Sequence, residues 1–495
     1  RIFARLAKHI IIRKALRIAG KRPIRSGSIR RKTFYRPCLD FDLETTFDIA
    51  LDKILSENIT RWDLIGVERR EKRTSGAIIL DISGIEQVIL SDNEKPLKDA
   101  YNKTILDPFC GSGIIPFEAR KLGFNSICVD INPAAIALVR ATYNILTHGC
   151  AICECLKQAL ITTFNELKNL WCTDEWCFVH VFAVRCPPCK APMWLSKIRS
   201  HNSGDNGEVF ILFNGKDLEY VKSSNNIKPT YPSVELNPQE LVRIGKDVYG
   251  YAAEIITTKG QRVFVSLVKN NEYRLKLLES IILAKKYLEK IPVIYLPIPE
   301  GKEIKRLKKS AIVSFHEIFS PRQLLSLYRF LLNASKYGCA NEAAMITASV
   351  MRTASFLAFY YQPYAKVNPG LVIKSFWLPE APVELNPLLY VETKNLSNIK
   401  SIGRGTIASY VAKCYRICRQ EGGSKHTGLI SLIRDNALSI DKYVKDTEDV
   451  YAVITDPPYF GRQRYWEMTV LHLYSLRLLG YTDVFEWIKE DINTY

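Results

Sequence analysis

The sequence predicts an α/β chain built on a parallel sheet whose two halves are separated by a long insert. Three stretches carry that prediction. Leu106-Asp107-Pro108-Phe109-Cys110-Gly111-Ser112-Gly113 lies between a short apolar strand, Thr104–Leu106, and a helical pattern, Ile114–Leu122. Val129-Asp130-Ile131-Asn132-Pro133 closes a second strand, Ser126–Val129, and opens another helix that runs to about Thr147. Asp456-Pro457-Pro458-Tyr459 closes a third apolar strand, Val450–Thr455. A strand–helix–strand–helix order makes a right-handed parallel unit by default. The three strands ending at Leu106, Asp130 and Thr455 are therefore expected side by side.

Taken in order, Arg1–Leu39 reads as a basic, helical arm, and Asp40–Arg73 carries apolar residues at helical spacing. Ile78–Leu80 and Gln87–Leu90 suit two strands joined at Ser83-Gly84. From Cys150 the regular pattern breaks. Tyr273–Lys290 is helical, and Pro321–Tyr337 with Asn341–Tyr361 forms a helical pair that Ser320-Pro321 starts. Met345, Met351 and Phe356 read as core of that pair. Ser401–Ser424 reads as a basic connector around a short helix, Leu429–Leu432 as a strand and Trp466–Leu479 as an amphipathic helix. These limits give five regions: 1–75, a basic arm and helices; 76–149, the first half of the parallel-sheet domain; 150–270, an insert; 271–425, a helical insert; and 426–495, the second half.

With 495 residues, 47% of them hydrophobic, the chain can bury a sizeable core in several domains. Its net charge of +18 favours a polyanionic partner, nucleic acid before membrane. Arg1–Pro37 holds thirteen Lys and Arg and no Asp or Glu. A solvated tail and a nucleic-acid-binding arm both fit that run. No stretch of about twenty uncharged apolar residues exists, so no membrane span is expected.

Thirteen cysteines without disulfide-type spacing suggest reduced thiols in a cytoplasmic protein. Seven of them fall in Cys150–Cys189. Cys186-Pro187-Pro188-Cys189 has the form of a metal-binding knuckle, but a zinc ribbon needs a second pair. None follows in Lys228–Asp247; Cys172 and Cys177 could serve. Zinc, a ribbon that has lost its metal, and redox chemistry all remain open.

The glycine turn brings backbone N–H groups and a helix N-terminus close to a ligand. Asp130, about twenty residues beyond the glycines, stands where ribose hydroxyls are bound in such units. Asp456-Pro457-Pro458-Tyr459 adds a stiff loop whose two prolines have no N–H. Asp456 and a proline carbonyl can accept both hydrogens of an exocyclic amine while Tyr459 or Phe460 stacks on the ring. Holding those hydrogens out of plane localises the amine lone pair toward an electrophile. A base in duplex DNA would have to leave the stack to reach this loop. The competing reading, a plain β-turn after a strand, is weakened by the three motifs standing together in order.

These motifs resemble those of the S-adenosylmethionine-dependent amino-methyltransferases of nucleic-acid bases. The fuller pattern is most similar to adenine-specific DNA methylases that carry an embedded zinc-ribbon. Ile115–Ala119 with Leu122-Gly123, Val184–Cys189, Phe319–Leu324 and Asn386-Pro387 share the resemblance, which covers roughly Lys103 to Leu479. It implies a Rossmann-like class I methyltransferase sheet, with the helical insert as target-recognition region. It also implies that Asp107, Phe109, Gly111, Gly113, Asp130 and Asp435 bind S-adenosyl-L-methionine and that Asp456, Pro457, Pro458 and Tyr459 hold the target amine. Cys186 and Cys189 would be the zinc ligands, and DNA the substrate. Partner proteins of a modification or defence system are further expectations. Adenine N6 is the leading target; cytosine N4, guanine N2 in RNA, and a non-catalytic nucleic-acid binder are the alternatives. Roughly 340 residues separate Gly113 from Asp456, which disfavours the RNA enzymes. The family's tryptophan- and arginine-rich N-terminal motif is not recognisable in Arg1–Arg36. Its sheet also normally continues past the Asp-Pro-Pro-Tyr strand, so the sequence is expected to be a fragment; an edge hairpin supplied from upstream by Ile78–Leu90 and a degraded copy are the alternatives.

Overall fold

The computed structural model describes residues 69–74, 77–82, 100, 102–185, 196–198, 209–213, 218–222, 241–268, 270–361, 366–369, 371–372, 375–376, 378–379, 382–390, 405–421, 428–444, 450–456 and 465–484. The chain is mixed α/β and contains a parallel sheet. It divides into two compact units, one made of Arg1–Asp130 and Ser424–Pro457, the other of Ile131–Gly423 and Pro458–Tyr495.

In chain order the elements are strands β1 (Arg69–Thr74), β2 (Ala77–Ile82) and β3 (Thr104–Asp107), helix α1 (Ile114–Lys121) and strand β4 (Asn125–Val129). Helices α2 (Pro133–His148) and α3 (Cys150–Trp171) follow. Next come β5 (Trp176–Arg185), β6 (Ser196–Ile198), β7 (Val209–Phe213), β8 (Leu218–Lys222), β9 (Val242–Gly245), β10 (Val248–Thr257) and β11 (Arg262–Ser266). Helices α4 (Asn271–Leu288), α5 (Lys305–Lys309), α6 (Pro321–Tyr337) and α7 (Ala340–Met351) lead to β12 (Ala358–Tyr361), β13 (Lys366–Pro369), β14 (Leu371–Val372), β15 (Ser375–Phe376) and β16 (Val383–Leu385). The last elements are α8 (Ile407–Glu421), β17 (Ile430–Ile433), β18 (Ala452–Val453) and α9 (Tyr465–Leu478).

The first unit holds a four-stranded sheet in the order β17-β4-β3-β18, all parallel. The three strands expected to be adjacent are adjacent, with β3 between β4 and β18. Leu106 pairs with Ile127 on one side and Val453 on the other. A small core of Ala100, Ile105, Ala119, Leu122 and Phe124 lies under α1. At Gly428 the chain passes so close to Phe124 that an added Cβ would come within 2.1 Å of its carbonyl oxygen. Arg120 secures that crossing by donating Nε–H to the Gly428 carbonyl at 3.0 Å.

Three expectations change here. The third strand is short and lies at the edge of the sheet; Val453 is 60% exposed, so it is not the buried strand its apolar run suggests. Ile78–Leu80 pairs upstream with Glu71–Arg73, and the resulting β1–β2 hairpin is a separate sheet. It therefore adds no edge to the parallel sheet, and Arg69–Arg73 is strand, not helix. Gln87–Leu90 lies outside the described residues, as do Arg1–Leu39 and residues 40–68.

The second unit joins an antiparallel sheet, β11-β10-β5-β16 with β9 on β10, to a helical core. α2 starts as the sequence predicts, Pro133 in its first turn and the Asn132 side chain accepting the Ala134 N–H at 2.9 Å. α6 starts on a capping box in which Ser320 and Gln323 satisfy each other's backbone N–H. Met345, Met351 and Phe356 are buried core, but the second helix of the pair ends at Met351 and β12 follows. The connector helix α8 is 15 residues long. α3 spans 22 residues where the sequence pattern breaks, because its cysteines read as ribbon rather than as one face of a helix.

The cysteines are the largest correction. Ten of the thirteen form five disulfides: Cys110–Cys128, Cys150–Cys418, Cys153–Cys414, Cys155–Cys339 and Cys172–Cys177. Two of them tie α3 to α8 and a third ties α3 to the start of α7. Partners as far apart as 268 residues leave no spacing signal. Cys172 and Cys177 bond each other and are not a second zinc pair. Among the described residues no helix is long and apolar enough to cross a membrane.

Candidate active site

Parallel pairing brings the carboxyl ends of β4, β3 and β18 to one end of the sheet, and the acidic motif residues follow from that register. Asp107 ends β3 opposite Cys128, Asp130 comes two residues later, and Asp456 lies three past Val453. β3 is flanked on both sides by parallel neighbours reached through different connections. Ligands of open α/β sheets bind at the carboxyl ends of such strands.

The glycine turn is built by backbone bonds to its neighbours. Cys110 donates its N–H to the Val129 carbonyl at 3.0 Å, and Gly111 donates to Asp130 Oδ2 at 2.8 Å. Gly113 donates to the Cys110 carbonyl at 2.7 Å and accepts from Phe117 at 3.0 Å. Gly111 and Gly113 have φ of +50° and +78°, conformations that L side chains rarely adopt. Space is not the constraint at Gly111: the nearest atom to an added Cβ would be 4.0 Å away. No side chain caps α1 at Gly113. Phe109 and Ile114 stand exposed on either side of the turn.

Asp107 is 1% exposed. Its Oδ1 accepts the Phe109 N–H at 3.3 Å, and the Thr455 side chain bonds the same carboxyl group. Burial pushes its pKa up to about 6; those two bonds oppose the rise, and the charges of Asp130 and Asp456 add to it. Asp456 itself is exposed.

The structure thus gathers Asp107, Phe109, Gly111, Gly113, Asp130 and Asp456. Asp435 follows β17, two strands from β3, and is engaged in its own loop. The Tyr443 hydroxyl donates to its Oδ2 at 2.6 Å and the Asn436 N–H to its Oδ1 at 2.7 Å. The Tyr443 bond leads in holding this carboxyl below its usual range. Pro457, Pro458, Tyr459, Cys186 and Cys189 lie outside the described residues, and among the described ones no His, Cys, Asp and Glu cluster could hold a metal. Two participants escape sequence reading. Thr455 passes as the last residue of an apolar strand, and the Cys110–Cys128 disulfide becomes readable only once β3 and β4 are known to be neighbours.

Chemically, two carboxylates hold the glycine turn, Asp107 at Phe109 and Asp130 at Gly111, and Asp456 follows the neighbouring strand. A pyrophosphate would meet their repulsion there; a cation with hydroxyl groups would not. No family, curated protein or solved structure matches the chain.

Proposed function

We propose that the chain is an S-adenosylmethionine-dependent DNA methyltransferase that modifies the exocyclic amine of adenine. The observation that supports this reading most is the acidic character of a glycine turn set between two other strand ends. The residues present fit the cofactor: its sulfonium is cationic and its ribose offers hydroxyl donors to the Asp130 carboxylate. Left-handed Gly111 and Gly113 keep the turn's backbone free of side chains. When bound, the cofactor supplies an electrophilic methyl group. Asp456 accepts one hydrogen of the target amine, and a carbonyl of Pro457 or Pro458 accepts the second. Tyr459 or Phe460 stacks on the base. Positioning supplies much of the rate in such a transfer. The Rossmann-like methyltransferase sheet is the finer form of the fold, and the +18 chain charge suits a DNA substrate.

This reading places the chain in the cytoplasm, beside DNA. Five disulfides there call for a cell interior that tolerates them, as in hyperthermophiles. The substrate class is tested by offering labelled S-adenosylmethionine with duplex DNA, single-stranded DNA and transfer RNA. The reading expects label in DNA, recovered as N6-methyladenine. Label in transfer RNA alone would contradict it.

A further inference from the structure

We infer that Lys302, Lys305 and Lys309 form a contact surface for the phosphate backbone of nucleic acid. The choice of nucleic acid rests on the DNA reading above; the surface itself is built wholly within the second unit. It lies on the excursion that carries α5. At the base of that excursion Ile298 donates its N–H to the Val313 carbonyl at 2.9 Å, and Phe315 donates to the Leu296 carbonyl at 3.0 Å. Ile298, Ile304, Leu307 and Ile312 are buried in the unit's core, while Lys302, Lys305, Arg306 and Lys309 are exposed. The first described helix after Asp456, α9, fixes the segment. Its Glu467 Oε1 accepts the N–H groups of Glu303 at 2.9 Å and Ile304 at 3.1 Å. The approach is close enough that a Cβ at Gly301 would come within 2.2 Å of the same oxygen. Beyond α5, Lys246 Nζ donates to the Ala311 carbonyl at 2.5 Å. The lysines therefore stand on a fixed backbone, which lowers the ordering cost of binding.

The excursion's own carboxylates are already engaged, Glu300 with Lys308 and Glu303 with Arg306 at 3.6 Å. Among the described residues no carboxylate pairs with Lys302, Lys305 or Lys309. The competing reading is a solvated helix end, since cations suit a helix C-terminus. It accounts for Lys308 and Lys309. Lys305, however, is the first residue of α5 and Lys302 precedes it, where the helix dipole disfavours a cation. Uncompensated ammonium groups in such a row suit successive phosphates, which Lys binds as a point charge. A membrane surface fits less well: Leu307, the one apolar residue of α5, is buried, so that helix offers no apolar face beside its charge.

The test uses the full chain and two duplex DNAs of unrelated sequence, with the dissociation constant measured across a salt series. Lys302→Gln/Lys305→Gln/Lys309→Gln is expected to weaken both duplexes alike. It should reduce the slope of log affinity against log salt by about 2–3, and each single change by about 1. Lys285→Gln/Lys286→Gln/Lys290→Gln removes the same charge in and just beyond α4 and should leave the slope unchanged. In methyl transfer the first triple variant should raise KM for DNA by about tenfold or more, with kcat kept within about 2-fold. An unchanged slope in that variant, or an equal reduction in the α4 variant, would overturn the inference. So would a parent protein that binds neither duplex, or one that loses binding to phosphatidylserine vesicles on the first triple change while DNA binding is untouched. If the expected slopes are found but no methyl group reaches DNA, the functional reading fails and the surface stands. If methyl reaches DNA and the slopes do not differ, the surface alone fails.

Discussion

The two units are held together by different means. The second has a continuous core that runs from Ala134 to Val484 and is fastened by four disulfides. It also encloses a fully buried ion pair. Arg322 donates Nε–H to Glu384 Oε1 at 3.1 Å and Nη2–H to Oε2 at 2.5 Å, while Nη1 serves the Leu170 carbonyl and Ser280 Oγ. The Ser320 hydroxyl also donates to Glu384, and the guanidinium lies 4.2 Å from the Trp171 ring. The first unit buries five residues in the cluster beneath its sheet, plus one disulfide, and its strand ends are joined by single hydrogen bonds from turn to carboxylate. Regions that bind ligands are drawn from the less stable parts of a protein. Here the scaffold-like unit is the heavily fastened one, and the unit carrying the candidate site depends on a few polar links.

That contrast can be broken at its strongest point first. Glu384→Ala leaves a buried guanidinium without its partner and should destabilise the second unit by about 3–5 kcal/mol, read from denaturant unfolding. A loss below about 1 kcal/mol would show that the pair is not what fastens this unit. Removing the α3–α8 disulfides should come next. Cys153→Ser with Cys414→Ser, which removes one of the two, is expected to cost about 2–4 kcal/mol, and reduction of the parent protein, which opens all five disulfides, should lower its Tm further. A Tm indifferent to reductant would mean these cysteines are not paired in solution.

In the first unit the expected effects are smaller and depend on pH. Asp107 has a pKa of about 6 in the folded chain against 3.8 for the ordinary carboxyl. Below the lower value both states are protonated and nothing is lost. As pH rises from 3.8 to about 6, the folded state holds the proton more tightly than the unfolded one, so stability falls. Above about 6 both are ionised and the full cost, on the order of 2–3 kcal/mol, remains. Asp107→Asn should remove that slope. A difference between Asp107→Asn and the parent that stays flat across the window would contradict the assigned cause. Smallest of all, Gly113→Ala forces a side chain into a left-handed conformation and should cost about 1–2 kcal/mol, with a loss of donor affinity. Unchanged affinity would remove Gly113 from the cofactor turn.

What could be seen in the sequence divides along the same line. The glycine turn, Asp130 and Asp456 are local signals: a positive φ requires glycine, and a strand end exposes the residue after it. Parallel pairing of three apolar runs then follows from connection rules, and the structure has that pairing. The fastening of the second unit was not legible. Cys150, Cys153 and Cys155 look like part of a ribbon until α3 is known to be a helix facing α8 and the start of α7. Thr455 and Val453 show the remaining limit. Apolar composition marks a strand but not whether it is central or at the edge, and it hides a hydroxyl that reaches a buried carboxylate one strand away.

The central claim is that the carboxyl ends of β3, β4 and β18 form a site of methyl transfer to a base amine. It is tested most directly by single-turnover transfer from labelled S-adenosylmethionine to duplex DNA, comparing the parent chain with Asp456→Ala. The account predicts N6-methyladenine with the parent, a loss of about 100-fold or more in rate with Asp456→Ala, and donor binding kept within about 3-fold. Equal rates for the two proteins would contradict it.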